Sequence, residues 1–166
     1  MNRKSFIKSI GIVSLFPDFT FNKPVQAKDG NTKIDLGLIE EFVKAGHNDL
    51  AKVKLMLEEE PNLLYCRHDW GNGDFEEAIE GAGHVGDKEI VSYLMDKGAR
   101  TNLFILTMLG REKLVKPILE AYPKLIFSKG PHGFSLLHYA NKGGEESQDM
   151  VDFLTEQGLL ETKFKR

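Results

Sequence analysis

Four stretches of the chain repeat one pattern of polar and apolar positions. In each, a glycine-type or polar stop is followed by a short helix with the pattern Val-x-x-apolar, with the valines at Val53, Val91, Val115 and Val151, and a second apolar residue follows in the first three. Recurrence of one such unit every few tens of residues is typical of a solenoid, in which each unit buries its apolar face against its neighbours. The pattern therefore predicts an all-α chain of about four stacked helix-turn-helix units.

Apolar residues at helical spacing predict two helices in each unit, with glycine, asparagine or proline at their ends. The predicted pairs are 34–45 with 49–59, 75–85 with 88–97, 103–109 with 111–121, and 136–142 with 148–157. Asp74 and Glu77 are expected to form a capping box at the start of the second pair. Pro117 should kink its helix unless that helix begins late, and residues 145–147 are expected to form a polar loop insertion.

The first 27 residues have the layout of a secretory signal peptide. A basic start is followed by the apolar stretch 10–16, and Val25-Gln26-Ala27 offers small residues for cleavage. Residues 2–8 also resemble the twin-arginine motif, with lysine for the second arginine, so both export routes stay open. We expect a signal peptide over 1–27, a linker over 28–33, the repeat domain over 34–160 and a tail over 161–166. The mature chain would then be periplasmic or otherwise exported.

Composition and net charge limit the kinds of partner that the chain can bind. The 166 residues carry a net charge of −3, and cleavage after Ala27 would leave 18 basic and 24 acidic side chains. Such a chain should repel nucleic acid and anionic lipid, and no apolar run is long enough for a transmembrane helix. The single cysteine, Cys66, excludes an internal disulfide framework and a multi-cysteine zinc site, and we expect its thiol to be packed.

Residues 133–144, which read GFSLLHYANKGG, resemble the ankyrin-repeat signature G-x-T-P-L-H-x-A-A-x-x-G. Residues 86–99 are similar to the second half of the same repeat. The likeness extends over about 35–160, and the D-W-G-x-G-D segment at 69–74 is similar to one found in a group of exported bacterial ankyrin proteins. The resemblance implies an ankyrin-repeat solenoid that binds protein partners, with His138 in a structural role.

The spacing of the units departs from this pattern. The steps between the equivalent valines are 38, 24 and 36 residues, against about 33 in ankyrin repeats. The middle step leaves only residues 99–102 as a turn, whereas 65–73 and 127–134 are long enough for full hairpin fingers. A missing finger between two present ones predicts a notch in the concave edge of the solenoid.

The residues that could carry chemistry are few. No two of the five histidines stand four apart on a predicted helix, so the sequence predicts no metal site and no cofactor. A hydrolase would need His84 or His132 with Asp69 or Asp74. A separation above about 10 Å between these histidines and any shared carboxylate would set that alternative aside.

The function predicted from the sequence is that of a monomeric, non-enzymatic module that binds a protein or peptide in the notched groove. Trp70 and Phe134 would be apolar anchors, unless Trp70 folds back as a lid, and acidic side chains would favour a basic partner. The alternative is a small-ligand sensor, which a cavity of about 300 Å³ or more would favour. The residues predicted to line the groove are Arg67, His68, Asp69, Trp70, Asp74, Glu76, Glu80, His84, Lys129, His132, Phe134 and Tyr139.

Overall fold

The computed structural model describes residues 33–165. The predicted signal peptide and almost all of the predicted linker lie outside these residues. Within them, no helix has the length and apolar content needed to cross a membrane.

The described chain is mostly helical, which confirms the all-α class, and one short two-stranded sheet is added to the helices. The helices are α1 Leu36–Ala45, α2 Leu50–Glu59, α3 Ala78–Val85, α4 Lys88–Asp96, α5 Leu103–Met108, α6 Glu112–Ala121, α7 Leu136–Gly143 and α8 Gln148–Glu156. The strands β1 Arg67–Asp69 and β2 Phe75–Glu77 pair antiparallel. Single 3₁₀ turns occupy Pro61–Tyr65, Pro123–Phe127, Pro131–Gly133 and Gly144–Ser147.

The helices pack in one regular manner. Each odd-numbered helix contacts the even-numbered helix that follows it, and α1, α3, α5 and α7 contact one another in that order. Close approach depends on small residues at the crossings. A Cβ on Gly46, at the end of α1, would lie 2.5 Å from the carbonyl oxygen of Ala78 at the start of α3. The end of α1 is thereby held against α3, and the residue after Gly46 faces that helix.

Two apolar clusters form the core. One lies among α1 to α5 and includes Phe42, Val53 and Leu94, and the other lies among α5 to α8 and includes Leu136 and Leu154. These side chains are at most 1% exposed. Burial of this apolar surface is the main favourable contribution to folding, at about 25 cal/mol per Å².

The start of the second helix pair differs from the prediction. Residues Phe75–Glu77 do not form the first turn of α3, because they pair as β2 with β1. The capping box consists of Glu77 and Glu80, with the Glu80 carboxylate accepting from the Glu77 N–H at 2.8 Å. Asp74 therefore does not cap the helix, and its carboxylate is bound to His132 instead.

Two other local predictions concern Pro117 and the insertion at 145–147. Pro117 does not end its helix, since α6 begins at Glu112 and continues through Pro117 to Ala121. The inserted residues after α7 form a 3₁₀ turn rather than an open loop, because Ser147 is buried and donates to the carbonyl oxygen of Thr107. No strand lies between α4 and α5 in the part of the chain that the structure describes, as the short step predicts.

Candidate functional site

Two loops project on the same side of the helices and touch each other. We call residues 67–77 the first finger and residues 128–134 the second finger. The backbone N–H of His132 donates to Asp74 Oδ1 at 2.7 Å, and its Nδ1 lies 2.8 Å from Asp74 Oδ2. One carboxylate therefore joins the two fingers through two contacts to a single residue.

The local sequence explains why the first finger turns so tightly. Residues Gly71, Asn72 and Gly73 all have positive φ, at 101°, 57° and 78°, a conformation that glycine and asparagine tolerate best. The turn closes with a hydrogen bond from the Trp70 N–H to the Asp74 carbonyl oxygen at 2.9 Å. This turn directs Trp70 and Asp74 back over the body of the protein.

Beneath the fingers, three histidines surround one buried carboxylate. We call His47, Glu76, His84 and His132 the histidine–glutamate cluster, and one ligand atom of each lies within 4.8 Å of all the others. His84 Nε2 is 3.1 Å from His47 Nε2 and 2.9 Å from Glu76 Oε1. Glu76 Oε2 is 3.7 Å from His47 Nε2 and 3.4 Å from His132 Nε2.

Glu76 is the centre of this cluster and is 0% exposed. Burial alone would raise the pKa of its carboxyl. The contact with His84 and the positive charge that His47, His84 and His132 can carry outweigh that effect, so that the pKa lies below its usual value. Glu76 is thus held as a carboxylate, and Trp70 Nε1 donates to its Oε2 at 2.8 Å.

Two further acids are buried beside the cluster at the start of α3. Glu80 accepts from Arg67 at 3.2 Å and from Asn102 at 2.8 Å, in addition to the backbone of Glu77. Glu77 lies 3.2 Å from Arg100. Burial nevertheless raises the pKa of Glu77, since Arg100 and Arg67 offset the lost hydration only in part.

A cleft of about 340 Å³ lies between the two fingers, above the start of α5. It occupies the place where the sequence predicts a notch, because α5 follows α4 without a finger of its own. Its lining is made of Arg67, Gly73, Asp74, Phe75, Glu80, Phe104, Lys129, Gly130 and Pro131. The cleft therefore combines an aromatic floor with charged groups at its walls.

The predicted groove residues fall into three groups by exposure. Arg67, Asp69 and Lys129 are exposed, while His68, Trp70, Asp74, His132 and Phe134 are half-buried. Glu76, Glu80, His84 and Tyr139 are buried and present almost no surface to a partner. These four are placed to support the site from within.

The half-buried aromatic residues mostly face inward. Trp70 bonds Glu76, and its ring contacts His68 at 4.3 Å and His132 at 5.9 Å between centroids. This position is that of a lid on the histidine–glutamate cluster. The Phe134 ring stacks on the His138 ring, with 3.9 Å between their centroids. His138 Nε2 lies 2.8 Å from the His84 carbonyl oxygen, so this histidine links α7 to α3.

His47 is the member of the cluster that reasoning from the sequence missed. Spacing within one helix could not indicate His47, because the four side chains of the cluster come from four separate segments. A usable signal was present: His47 and His84 are 37 residues apart, close to the 38-residue step between Val53 and Val91. Residues one repeat apart occupy neighbouring positions in a stack of repeated units.

The distances also bear on the hydrolase alternative. His84 and His132 both lie within 3.4 Å of Glu76, so the separation that would set this alternative aside is not found. Asp69 is not part of the arrangement, because its carboxylate accepts from the Gly71 N–H within its own turn.

Other features agree with simple structural roles. Cys66 is partly buried and donates to the Asn62 carbonyl oxygen at 3.4 Å, and burial raises the pKa of its thiol.

Comparison with known proteins gives no further guide, since no family model, curated protein or solved structure matches the chain.

Proposed function

We propose that this chain is a non-enzymatic binding module of ankyrin-like architecture and that a protein or peptide segment binds in the cleft between the two fingers. Support for the architecture comes from the regular pairing of the helices and from the ordered contacts among α1, α3, α5 and α7. Residues 133–144, which carry the ankyrin-like signature, supply the end of the second finger and α7. Export of the mature chain remains part of this proposal.

The observation that carries the proposal is the cleft itself. A volume of about 340 Å³ accommodates one or two large side chains, and Phe75 on its wall is 47% exposed. Aromatic residues exposed beside a concave surface are typical anchors for a partner, because their burial excludes much apolar surface from water. Phe75 replaces Trp70 as the expected aromatic anchor, since Trp70 is already engaged with Glu76.

The charges around the cleft change the expected partner. Asp74 is engaged by His132, and Glu80 by Arg67 and Asn102, so these acids are compensated within the protein. Lys129 is exposed at the rim, with its ammonium group donating to the Lys165 carbonyl oxygen. We therefore expect a segment with a large apolar side chain for the cleft and a carboxylate near Lys129, in place of the basic partner favoured by the sequence.

A peptide selection tests this proposal. Random peptides displayed on phage would be selected on the full chain, and the affinity of enriched peptides measured by fluorescence anisotropy. Phe75→Ala should weaken binding by roughly tenfold or more, as loss of an interface anchor does. Lys129→Glu should weaken acidic peptides selectively.

Matched controls lie away from the cleft. Tyr122→Ala removes an exposed aromatic side chain at the end of α6, and Lys124→Glu reverses an exposed charge nearby. Neither should alter peptide affinity. Peptides that bind all four variants equally, or a selection that enriches no peptide, would contradict a peptide-binding cleft.

A small-molecule ligand is the second candidate, because the cleft exceeds the volume at which such ligands become plausible. Ligand-observed NMR against a library of small carboxylic acids would test it. Binding of such an acid that Phe75→Ala abolishes, together with a selection that enriches no peptide, would favour the sensor over the interaction module.

A further inference from the structure

The histidine–glutamate cluster assembles four donor atoms from four separate parts of the fold. His47 follows α1, Glu76 lies on β2, His84 is in the last turn of α3, and His132 is at the tip of the second finger. Three imidazole nitrogens and one carboxylate oxygen are a donor set that Zn²⁺ commonly takes in proteins. No thiol is needed, so the single cysteine of the chain places no limit on this site.

The separations among these atoms fit a common metal ion. Zn–N and Zn–O bonds of about 2.0–2.2 Å imply tetrahedral edges of roughly 3.3–3.5 Å. The measured separations include 3.1 Å between the Nε2 atoms of His47 and His84, and 3.4 Å between His132 Nε2 and Glu76 Oε2. The widest separation among the four ligand atoms reaches 4.8 Å, so side-chain rotations that close it by about an ångström would complete a tetrahedral site.

The outer nitrogens of two histidines are held in the way that metal ligands usually are. His47 Nδ1 lies 3.0 Å from the Val43 carbonyl oxygen, which can only accept, so that this nitrogen carries the proton. His132 Nδ1 lies 2.8 Å from the Asp74 carboxylate. Each contact directs an Nε2 lone pair into the cluster, and the carboxylate–histidine pair is the usual outer support of a zinc ligand.

Without a cation, the polar atoms of the cluster do not satisfy one another. Glu76 Oε1 is fully buried, and its neighbour His84 Nε2, at 2.9 Å, also lies 3.1 Å from His47 Nε2, so that one imidazole nitrogen is shared between two partners. One proton at most can lie between the Nε2 atoms of His47 and His84. A cation at the shared centre would satisfy all four groups at once, whereas a buried polar atom left without a partner is unfavourable.

We propose that His47, Glu76, His84 and His132 bind one divalent transition-metal ion, Zn²⁺ by preference. With four protein ligands the site is closed, and its role is structural rather than catalytic. The ion ties the second finger to α1, β2 and α3 beneath the Trp70 lid. Because Asp74 both supports His132 and lines the cleft, metal loading also fixes the spacing of the cleft walls.

Titration with Zn²⁺ alone tests this proposal on the full chain without an affinity tag. After removal of metal by chelator dialysis, isothermal titration calorimetry should show one equivalent of Zn²⁺ bound and the melting temperature should rise with added Zn²⁺. Co²⁺ should give the intense visible absorption of a four-coordinate site. Weak or multiple binding with a six-coordinate Co²⁺ spectrum would overturn the proposal.

Variants separate this site from adventitious binding. His84→Gln should abolish the stoichiometric site, and Asp74→Asn, which only supports a ligand, should weaken Zn²⁺ binding by roughly 10- to 100-fold. His68→Gln is the matched control, since His68 contacts Trp70 but lies outside the cluster. If His84→Gln does not fold, Asp74→Asn decides. Equal Zn²⁺ affinity in Asp74→Asn, His68→Gln and the unmodified chain would overturn the assignment.

Discussion

The starts of α3 and α7 each follow a finger and each bury an apolar pair, but they differ in the polar groups buried beside it. Ala78 and Ile79 of α3 lie beside three buried acids, Glu76, Glu77 and Glu80. Leu136 and Leu137 of α7 lie beside the buried Ser135. Both begin directly after a finger and both are capped by a side chain acting on the backbone. The same position in the fold therefore serves packing in one helix pair and polar chemistry in another.

The difference has an energetic meaning. Burying ionised carboxylates is costly unless each is paired, and a buried ion pair often stabilises a fold less than apolar packing would. At α7 the cap is the short side chain of Ser135, which also donates to the Glu161 carbonyl oxygen. At α3 the compensation requires Arg67, Asn102 and the histidines. The binding role proposed above would account for an arrangement that apolar packing would make more stable.

The largest expected effect lies at the apolar start. Leu136 is 0% exposed, and Leu136→Ala should lower the free energy of unfolding by about 2–5 kcal/mol, because truncation leaves a cavity in the second core cluster. Urea denaturation followed by circular dichroism measures it. Leu160→Ala, at an exposed position, is the control and should be nearly neutral. A neutral Leu136→Ala would mean that α7 does not draw its stability from packing.

A smaller effect is expected at the polar start. Glu80→Ala removes the acceptor for Arg67, Asn102 and the Glu77 N–H, and should cost about 1–3 kcal/mol by leaving buried donors unsatisfied. Glu80→Gln keeps one acceptor oxygen and should cost less. The same urea measurement applies, with Glu89→Ala on the exposed face of α4 as the control. Because glutamine keeps the volume of glutamate, equal losses for Ala and Gln would show that one acceptor oxygen does not preserve the network and that the negative charge is what matters at this position.

The smallest effect concerns pH. Burial lowers the pKa of His138 below its usual value of about 6.5. The positive charges of Lys142 and Lys163 lower this pKa further, and the hydrogen bond with the His84 carbonyl oxygen raises it only in part. When the pH falls below the usual pKa of histidine, the unfolded chain binds a proton at His138, whereas the folded chain binds it only at lower pH. The free energy of unfolding therefore falls as pH is lowered from 7.5 to 5.5. His138→Gln should show a smaller fall.

The pH comparison is made by urea denaturation in the presence of EDTA, so that metal does not contribute. Both proteins retain the histidine–glutamate cluster, so they differ only in the side chain at position 138. Identical pH dependence of the two proteins would show that His138 is not protected from protonation by the fold.

Much of the fold could be predicted because its signals are local. The apolar spacing of 34–45 and 49–59 matches α1 and α2 closely, and the short step after Val91 predicts correctly that α4 is followed by α5 without a finger. The prediction is wrong at residues 75–77, where a helical pattern pairs as a strand with residues 67–69. Pairing with the other strand of the same finger prevailed over the helical pattern there, because strand preference depends on context.

The sequence by itself determined the helices, their order and the fingers, because apolar periodicity and glycine stops act within a few residues. Only the tertiary structure decided which polar groups meet. His47, His132 and the pair Glu76 and His84 lie far apart along the chain and come together because α1, α3 and the two fingers pack side by side. No local sequence pattern predicts the contact among these four side chains, because it depends on how the helices cross and on where each finger tip lies.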